Sequence, residues 1–311
     1  MNVGITGKWD PEDMVARMLD LGTIQRCADW YGVSVEEFAN AWIRNRCEDF
    51  IQRARRKGLV QQVAEEKRMV KSSKIGRDMQ YSIAFISDLH FGSIYQDLNA
   101  LNQFIQLCHD RGIETLLCAG DITEGLMPRP GHKNERTLHT IDDIEAFCVD
   151  NYPDGFKNSY FIIGNHDESI RLRGDGYDIG LNLVKDRPDL TYVIGDPSVP
   201  ATVIVDGGVG VQLYHGNGGC TVARTNRMML RCRSLMEMGH NFQVLAAGHC
   251  HNSSYIPSYM GAVLIGLPSF QRDTPYLAAK GLVPECGGVI LNYNADNGII
   301  TQCAPEFIFF K

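Results

Sequence analysis

The chain has 311 residues, 44% hydrophobic and 22% charged, the composition of a globular protein with room for one large domain or one large and one small. No run of about 18 apolar residues exists and the first residues carry no apolar signal stretch, so a membrane span and a secretory leader are not expected; a cytoplasmic setting is. The net charge of −7 hides an asymmetry: residues 1–77 hold 14 Lys and Arg against 11 Asp and Glu, and the remainder holds 16 against 26.

Residues 1–75 read as a small all-α domain followed by a basic linker. Asp10-Pro11-Glu12-Asp13 predicts a helix start, with Pro at the first helical position and acids in the first turn. A second helix runs from near Thr23 to Gly32. A third starts at Ser34, with Glu37 three residues on as a capping box, and is expected to bury Val35, Phe38, Ala39, Trp42 and Ile43. The segment RCADWYGVSVEEFANAW has helix-turn-helix spacing. Glu36 and Glu37 would repel phosphate, however, and favour a plain helical cap on the rest of the chain. Between Glu48 and Met79 the pattern is basic and Gln-rich. Arg53, Arg55, Arg56 and Lys57 cluster there as candidate nucleic-acid contacts, or as a solvated helix face.

From residue 76 to 311 the pattern changes to a second domain. Short apolar runs predict strands at Ile83–Ile86, Thr115–Ala119, Tyr160–Ile163, Val209–Tyr214, Val244–Ala247, Ala262–Ile265 and Val289–Leu291, with a helix over Leu98–Cys108. Strand and helix in alternation predict an α/β fold with a buried mixed sheet covered by helices. The ten cysteines never take C-x-x-C spacing and several lie in apolar runs, so free, buried thiols are expected.

Five of these runs end in metal-binding residue types: Asp88-Leu89-His90, Gly120-Asp121, Gly164-Asn165-His166-Asp167, His215-Gly216 and Gly248-His249-Cys250-His251. Ligands of open α/β sheets gather at the carboxyl ends of strands. Asp88, Asp121 and Asn165 offer oxygen; His90, His215, His249 and His251 offer nitrogen. That mixture suits manganese, iron or zinc rather than calcium. Seven ligands exceed one tetrahedral ion and suit two ions sharing a carboxylate. The period-two spacing of Asp88-x-His90 and His249-x-His251 puts both side chains on one face if those segments are extended. The glycines let backbone pass close by. Each motif alone is weak, since a lone His is more often structural; the ordered set is what points to metal.

This order of motifs resembles the calcineurin-like metallophosphoesterases over residues 81–295 or so. The resemblance implies two facing mixed β-sheets flanked by helices, with two divalent ions at one edge. Manganese is the favoured ion, with iron, zinc or nickel as alternatives. By position, Asp88, His90 and His251 would hold one ion, Asn165, His215 and His249 the other, and Asp121 would bridge them. Such a pair of ions lowers the pKa of a shared water to supply a nucleophile. His166 would lie near the substrate as a proton donor or phosphoryl contact, or else serve as a structural histidine.

The family acts on many phosphoesters, and fold alone does not choose among them. GDITEG and GNHD depart from the protein-phosphatase pattern, and GNHD resembles the branch of double-strand-break repair nucleases. SDLHFGS and LPSFQRDTPYLAAKGLVPECGGVILN look similar to the exonuclease subunit of archaeal D-family DNA polymerases, which would bring Ser269 and Gln271 near the metals. Arg171 and Arg173, just after GNHD, are candidate phosphate contacts or surface salt-bridge residues. The expected function is a metal-dependent DNA nuclease, with exonuclease favoured, and DNA is the expected partner. The alternatives are a phosphodiesterase or phosphatase for small nucleotides or phosphoproteins, and a nucleic-acid-binding protein with a non-catalytic scaffold. No protein partner is readable.

Overall fold

The computed structural model describes residues 13–14, 17–18, 24–44, 80–127, 131–193, 201–216 and 224–311. The chain divides into two compact units, Met1–Arg77 and Asp78–Lys311. In the first unit, α1 (Ile24–Tyr31) and α2 (Val35–Arg44) form a helical pair. Gly32 leaves α1 at φ +64°, the left-handed conformation that suits glycine. Ser34 then caps α2 by accepting from the Glu37 N–H at 3.1 Å. Val35, Phe38 and Ala39 are buried as their spacing requires, together with Ala41. The helix start at Asp10, the side chains of Trp42 and Ile43, and the cluster Arg53, Arg55, Arg56 and Lys57 lie outside the described residues.

The second unit is two mixed sheets flanked by helices. In chain order it comprises β1 (Gln80–Ile86), α3 (Leu98–Asp110), β2 (Thr115–Cys118), α4 (Ile141–Asn151), β3 (Asn158–Phe161), α5 (Asn165–Arg173), α6 (Ile179–Asp186) and β4 (Leu190–Tyr192). Then follow β5 (Ala201–Val205), β6 (Val209–Tyr214), α7 (Arg224–Glu237), β7 (Val244–Ala247), β8 (Ser254–Tyr259), β9 (Ala262–Gly266), α8 (Pro275–Ala279), β10 (Gly287–Asp296) and β11 (Ile299–Phe309). One sheet has the order β11-β10-β1-β2-β3-β4, the other β5-β6-β7-β9-β8.

The two sheets share a core. Ile83 and Phe85 from β1, Leu117 from β2, and Val289 and Leu291 from β10 meet Val211 and Leu213 from β6, Val244 and Ala246 from β7, and Ile265 from β9. Ala84 and Ile86, which alternate with them on β1, are also fully buried. A strand covered on both faces reads as a continuous apolar run, which is why these segments were visible without strict alternation. On the outer side of the second sheet, Met228, Cys232 and Leu235 of α7 pack on Phe242, Leu245 and Leu264.

Register places the site. Strands β1, β2 and β3 run parallel, with Ile86 opposite Cys118 and Cys118 opposite Phe161. In the other sheet β6 and β7 run parallel, with Tyr214 opposite Ala247. The last residues of all five strands are therefore level with their neighbours, and the residues that follow leave each sheet at one height. Among the described residues no helix is long and apolar enough to cross a membrane.

One expectation about cysteine is corrected. Cys27, Cys108, Cys118, Cys148, Cys232, Cys286 and Cys303 are free thiols, but Cys250 is disulfide-bonded, with its partner outside the described residues. Cys250 sits half-buried in the loop after β7 instead of inside an apolar strand.

Candidate metal centre

The five loops interlock before any ion is considered. The Asp88 N–H donates to the Gly120 carbonyl at 2.9 Å, the His90 N–H to the Asp121 carbonyl at 3.1 Å, and the Phe91 N–H to the Ile122 carbonyl at 2.8 Å. The His249 N–H reaches both oxygens of Asp88, at 3.1 and 2.9 Å. The His166 N–H donates to Asp121 Oδ1 at 2.8 Å. Asp167 clamps two loops together: its carboxylate accepts from the N–H groups of Ile122, Thr123 and Gly164 at 3.0, 2.8 and 2.9 Å, and from the Thr123 hydroxyl at 2.8 Å.

Backbone strain is concentrated here. Among the described residues, eight non-glycine residues have positive φ, and five are Asp88, His90, Asp121, His249 and His251. Left-handed backbone at a non-glycine residue costs roughly 1–3 kcal/mol and persists where the surroundings enforce it, which marks functional sites. This corrects the expected route to convergence. Asp88-x-His90 and His249-x-His251 are left-handed turns, not extended segments, because the loops must bend back over the sheet ends. Close approach also needs glycine: a Cβ on Gly164 would lie 2.2 Å from Asp121 Oδ1, and one on Gly248 would lie 2.1 Å from Ser87 Oγ.

Three groups of ligand-type atoms result among the described residues: Asp88 with His90 and His251, Asp121 with His215 and His249, and His90 with Glu124 and His166. In the first, His251 Nε2 lies 3.1 Å from Asp88 Oδ1 and 3.1 Å from His90 Nε2. In the second, His215 Nε2 lies 3.0 Å from Asp121 Oδ2. Asp121 Oδ2 also lies 3.9 Å from His90 Nε2, so this one oxygen faces both clusters. Asp88, Asp121, His90 and His215 are all buried.

The electrostatics are those of a dense array of opposite charges. Burial pushes Asp88 up, but the facing His251 and His215 outweigh it and hold the carboxylate below its usual range. Burial also opposes ionisation of Asp121, and His215, His166 and His90 reverse that. Burial disfavours a charged His90, yet the hydrogen bond and charge of Glu124 raise it to about 8. Burial likewise lowers His215, and Asp121 overrides it to about 9. His166 is only partly enclosed, yet the packing around its ring pushes it down to about 4 and keeps it neutral at pH 7. Its Nδ1 lies 2.7 Å from the Glu124 carbonyl oxygen, which fixes Nδ1 as the N–H and frees Nε2.

The residues fit divalent ions. Asn165 Oδ1 is buried without a hydrogen-bond partner, a costly state for an atom that no ion satisfies, and His215 Nε2 faces the carboxylate of Asp121 at 3.0 Å. Asn165 is the first residue of α5, so the helix start itself presents it. The His215 Nδ1–H donates to the Ala119 carbonyl at 2.7 Å, which directs the Nε2 lone pair toward Asp121.

Other expected residues are placed differently. Arg171 donates to Glu168 on its own helix at 2.8 Å, and a salt bridge within α5 is its contact. Arg173 is exposed at the end of α5. Ser269 is fully buried, and its hydroxyl donates to the Gln271 carbonyl at 3.0 Å. Gln271 is also buried and reaches the centre indirectly, through Glu124. Sequence reasoning missed Glu124 and His132. Glu124 stood in view in GDITEG but was read only as a departure from another pattern. His132 follows no strand and offered no signal.

Residues 81–261 match the family model described as calcineurin-like phosphoesterase. The DNA polymerase II small subunit of Methanothermobacter thermautotrophicus is 27% identical over 259 residues, covering 70% of this chain and 53% of that protein. The DNA polymerase II small subunit of Halobacterium salinarum is 34% identical over 147 residues, covering 45% of this chain and 28% of that protein. The chain thus spans about half the length of the first of these relatives or less. Among solved structures, Vps29 of Entamoeba histolytica complexed with zinc aligns at a TM-score of 0.36 and 13% identity, over 73% of this chain and 98% of that one. Vacuolar Protein Sorting 29 of Cryptosporidium parvum aligns at a TM-score of 0.35 and 15% identity, over 75% of this chain and 100% of that one.

Proposed function

The chain belongs to the calcineurin-like phosphoesterase family, and on that footing we propose that it is a two-metal phosphodiester hydrolase acting on DNA, as an exonuclease. Asp88, His90 and His251 would hold one ion, Asn165, His215 and His249 the other, with Asp121 facing both. The carrying observation is the single Asp121 oxygen that lies 3.0 Å from His215 and 3.9 Å from His90, so that it faces both clusters. When bound, divalent ions activate water and neutralise charge on the phosphoryl oxygens; manganese is the ion proposed.

The chain's own residues do the rest. Asp167 and the glycine contacts fix the loops, so the ligands need no reorganisation. His166, neutral and pinned through Nδ1, presents Nε2 to a phosphoryl group or leaving oxygen from beside Asp121. DNA is favoured over small nucleotides because the sequence relatives are DNA polymerase subunits by name. Their designation as small subunits supports a polymerase partner as well, a second reading that co-purification would test. The helical N-terminal unit is proposed as a separate domain over residues 1–75.

The test is incubation of the purified protein and manganese with end-labelled single-stranded and duplex DNA, beside a chelator control and the Asp121→Asn variant. Chelator-sensitive cleavage that the variant lacks is expected, with a ladder of shortened products from one end. Intact DNA alongside hydrolysis of an aryl phosphodiester would move the substrate to small phosphodiesters.

A further inference from the structure

Glu124 is a carboxylate buried to 1% exposure that belongs to none of the five motifs. Its oxygens are taken by three side chains. Oε2 lies 2.8 Å from His90 Nδ1 and accepts from Gln271 Nε2 at 2.8 Å. Oε1 lies 2.8 Å from His132 Nε2. His132 is itself 2% exposed, and Gln271 is 4% exposed and donates on to Ser93 Oγ at 3.0 Å. With three donors on a group of about four acceptor positions, Glu124 is held mainly from behind the site, and its carboxylate also lies within ligand distance of His90 and His166.

The arrangement has a direction. A carboxylate on His90 Nδ1 places the N–H there and leaves the lone pair on Nε2, which faces His251 and Asp88. Carboxylate, imidazole and ion in series is a recurrent support for metal sites, and its removal weakens binding about 10–100-fold. The second cluster is supported otherwise. His215 Nδ1 is held by a backbone carbonyl, Ala119 O, which no side-chain change removes.

We propose that Glu124, held by His132 and Gln271, is a positioning residue for the first ion, so that the first site can be emptied separately from the second. This rests on the two-metal reading above. Gln271 acts here as a brace on Glu124 and not as a substrate contact.

The experiment measures metal per chain by mass spectrometry and manganese affinity by calorimetry. It uses the whole protein and Glu124→Ala, His132→Ala and His132→Gln, with a thermal melt of each. Wild type is expected to hold two ions. Glu124→Ala is expected to hold one tightly and the other about 10–100-fold more weakly. His132→Ala should weaken the same ion by a smaller factor. His132→Gln, whose amide can still donate to Glu124, should recover most of that loss, a rescue that loss of packing would not show. Two ions at unchanged affinity in Glu124→Ala would overturn the proposal, and so would equal loss of both ions with an intact melt. If Glu124→Ala does not fold, the two His132 variants decide: equal affinities in both would overturn it. A wild-type chain that holds no ions would sink the two-metal reading itself, and this proposal with it.

Discussion

The two ligand clusters are built from the same residue types, but their second layers differ. The first cluster adds side chains to a backbone donor: the His249 N–H on Asp88 at 2.9 Å, Ser87 on Asp88 at 2.6 Å, and Glu124 on His90 at 2.8 Å with His132 and Gln271 behind it. The second leans on backbone: the Ala119 carbonyl on His215 at 2.7 Å, the His166 N–H on Asp121 at 2.8 Å, and the start of α5 under Asn165. A backbone support is fixed by the fold, whereas a side-chain support can be tuned by single substitutions. The first cluster thus has more supports that a single substitution can remove.

The largest effect should come where the clusters meet. Asp121→Asn removes the charge facing both, so turnover should fall by about 10³-fold or more and both ions should be lost. Retention of either ion at full affinity would show that the clusters do not share this oxygen. Asn165→Ala should act on one side only, with metal content falling toward one ion while the first cluster stays filled. His166→Ala should leave both ions in place and lower turnover by about 10²-fold, the usual scale for a lost proton-transfer or phosphoryl contact. Metal loss equal to that of Asp121→Asn would move His166 into the ligand set.

Acidity sharpens the comparison further. His90 is raised to about 8 and His215 to about 9, both above the ordinary 6.5. In the ion-free chain each therefore contributes stability that is complete below pH 6.5, and lost as pH rises through about 8 for His90 and about 9 for His215. Ion binding competes with those protons, so affinity should rise over the same window and level off at lower pH for the first site. Calorimetry in buffers of different ionisation enthalpy reads the released protons. An ion-free melting temperature that climbed from pH 7 to 9 would contradict the assignment. The smallest effect is expected from Arg171→Ala: its partner is Glu168 on the exposed face of α5, so activity should change by less than about twofold.

Much of the centre was legible because it consists of short-range signals. Asp88, Asp121, Asn165, His215 and His249 each stand within four residues after an apolar run; Val209–Tyr214 and Val244–Ala247 coincide with β6 and β7, whereas Val289–Leu291 is only the buried part of the longer β10. The helix expected at Leu98–Cys108 runs on to Asp110, where the Arg111 N–H closes its last turn. Strands β4, β5, β8 and β11 were not anticipated. β8 has the half-exposed sequence SYIPSY and β11 includes Pro305, edge features that blur the strand pattern.

The sequence by itself determined which side chains could bind metal and that they follow strands, since strand length and residue type are local properties. Tertiary structure alone decided how they converge. Parallel register levels the strand ends, and left-handed turns at Asp88, His90, His249 and His251 aim the ligands, where spacing had suggested extended backbone. It also decided that Arg171 pairs with Glu168 and Ser269 with the Gln271 carbonyl, and that Glu124 meets His90, His132 and Gln271 across 34, 8 and 147 residues of chain. A hydrogen bond between residues so far apart leaves no pattern in local sequence. It exists only once the sheets have paired and the loops have been pressed together.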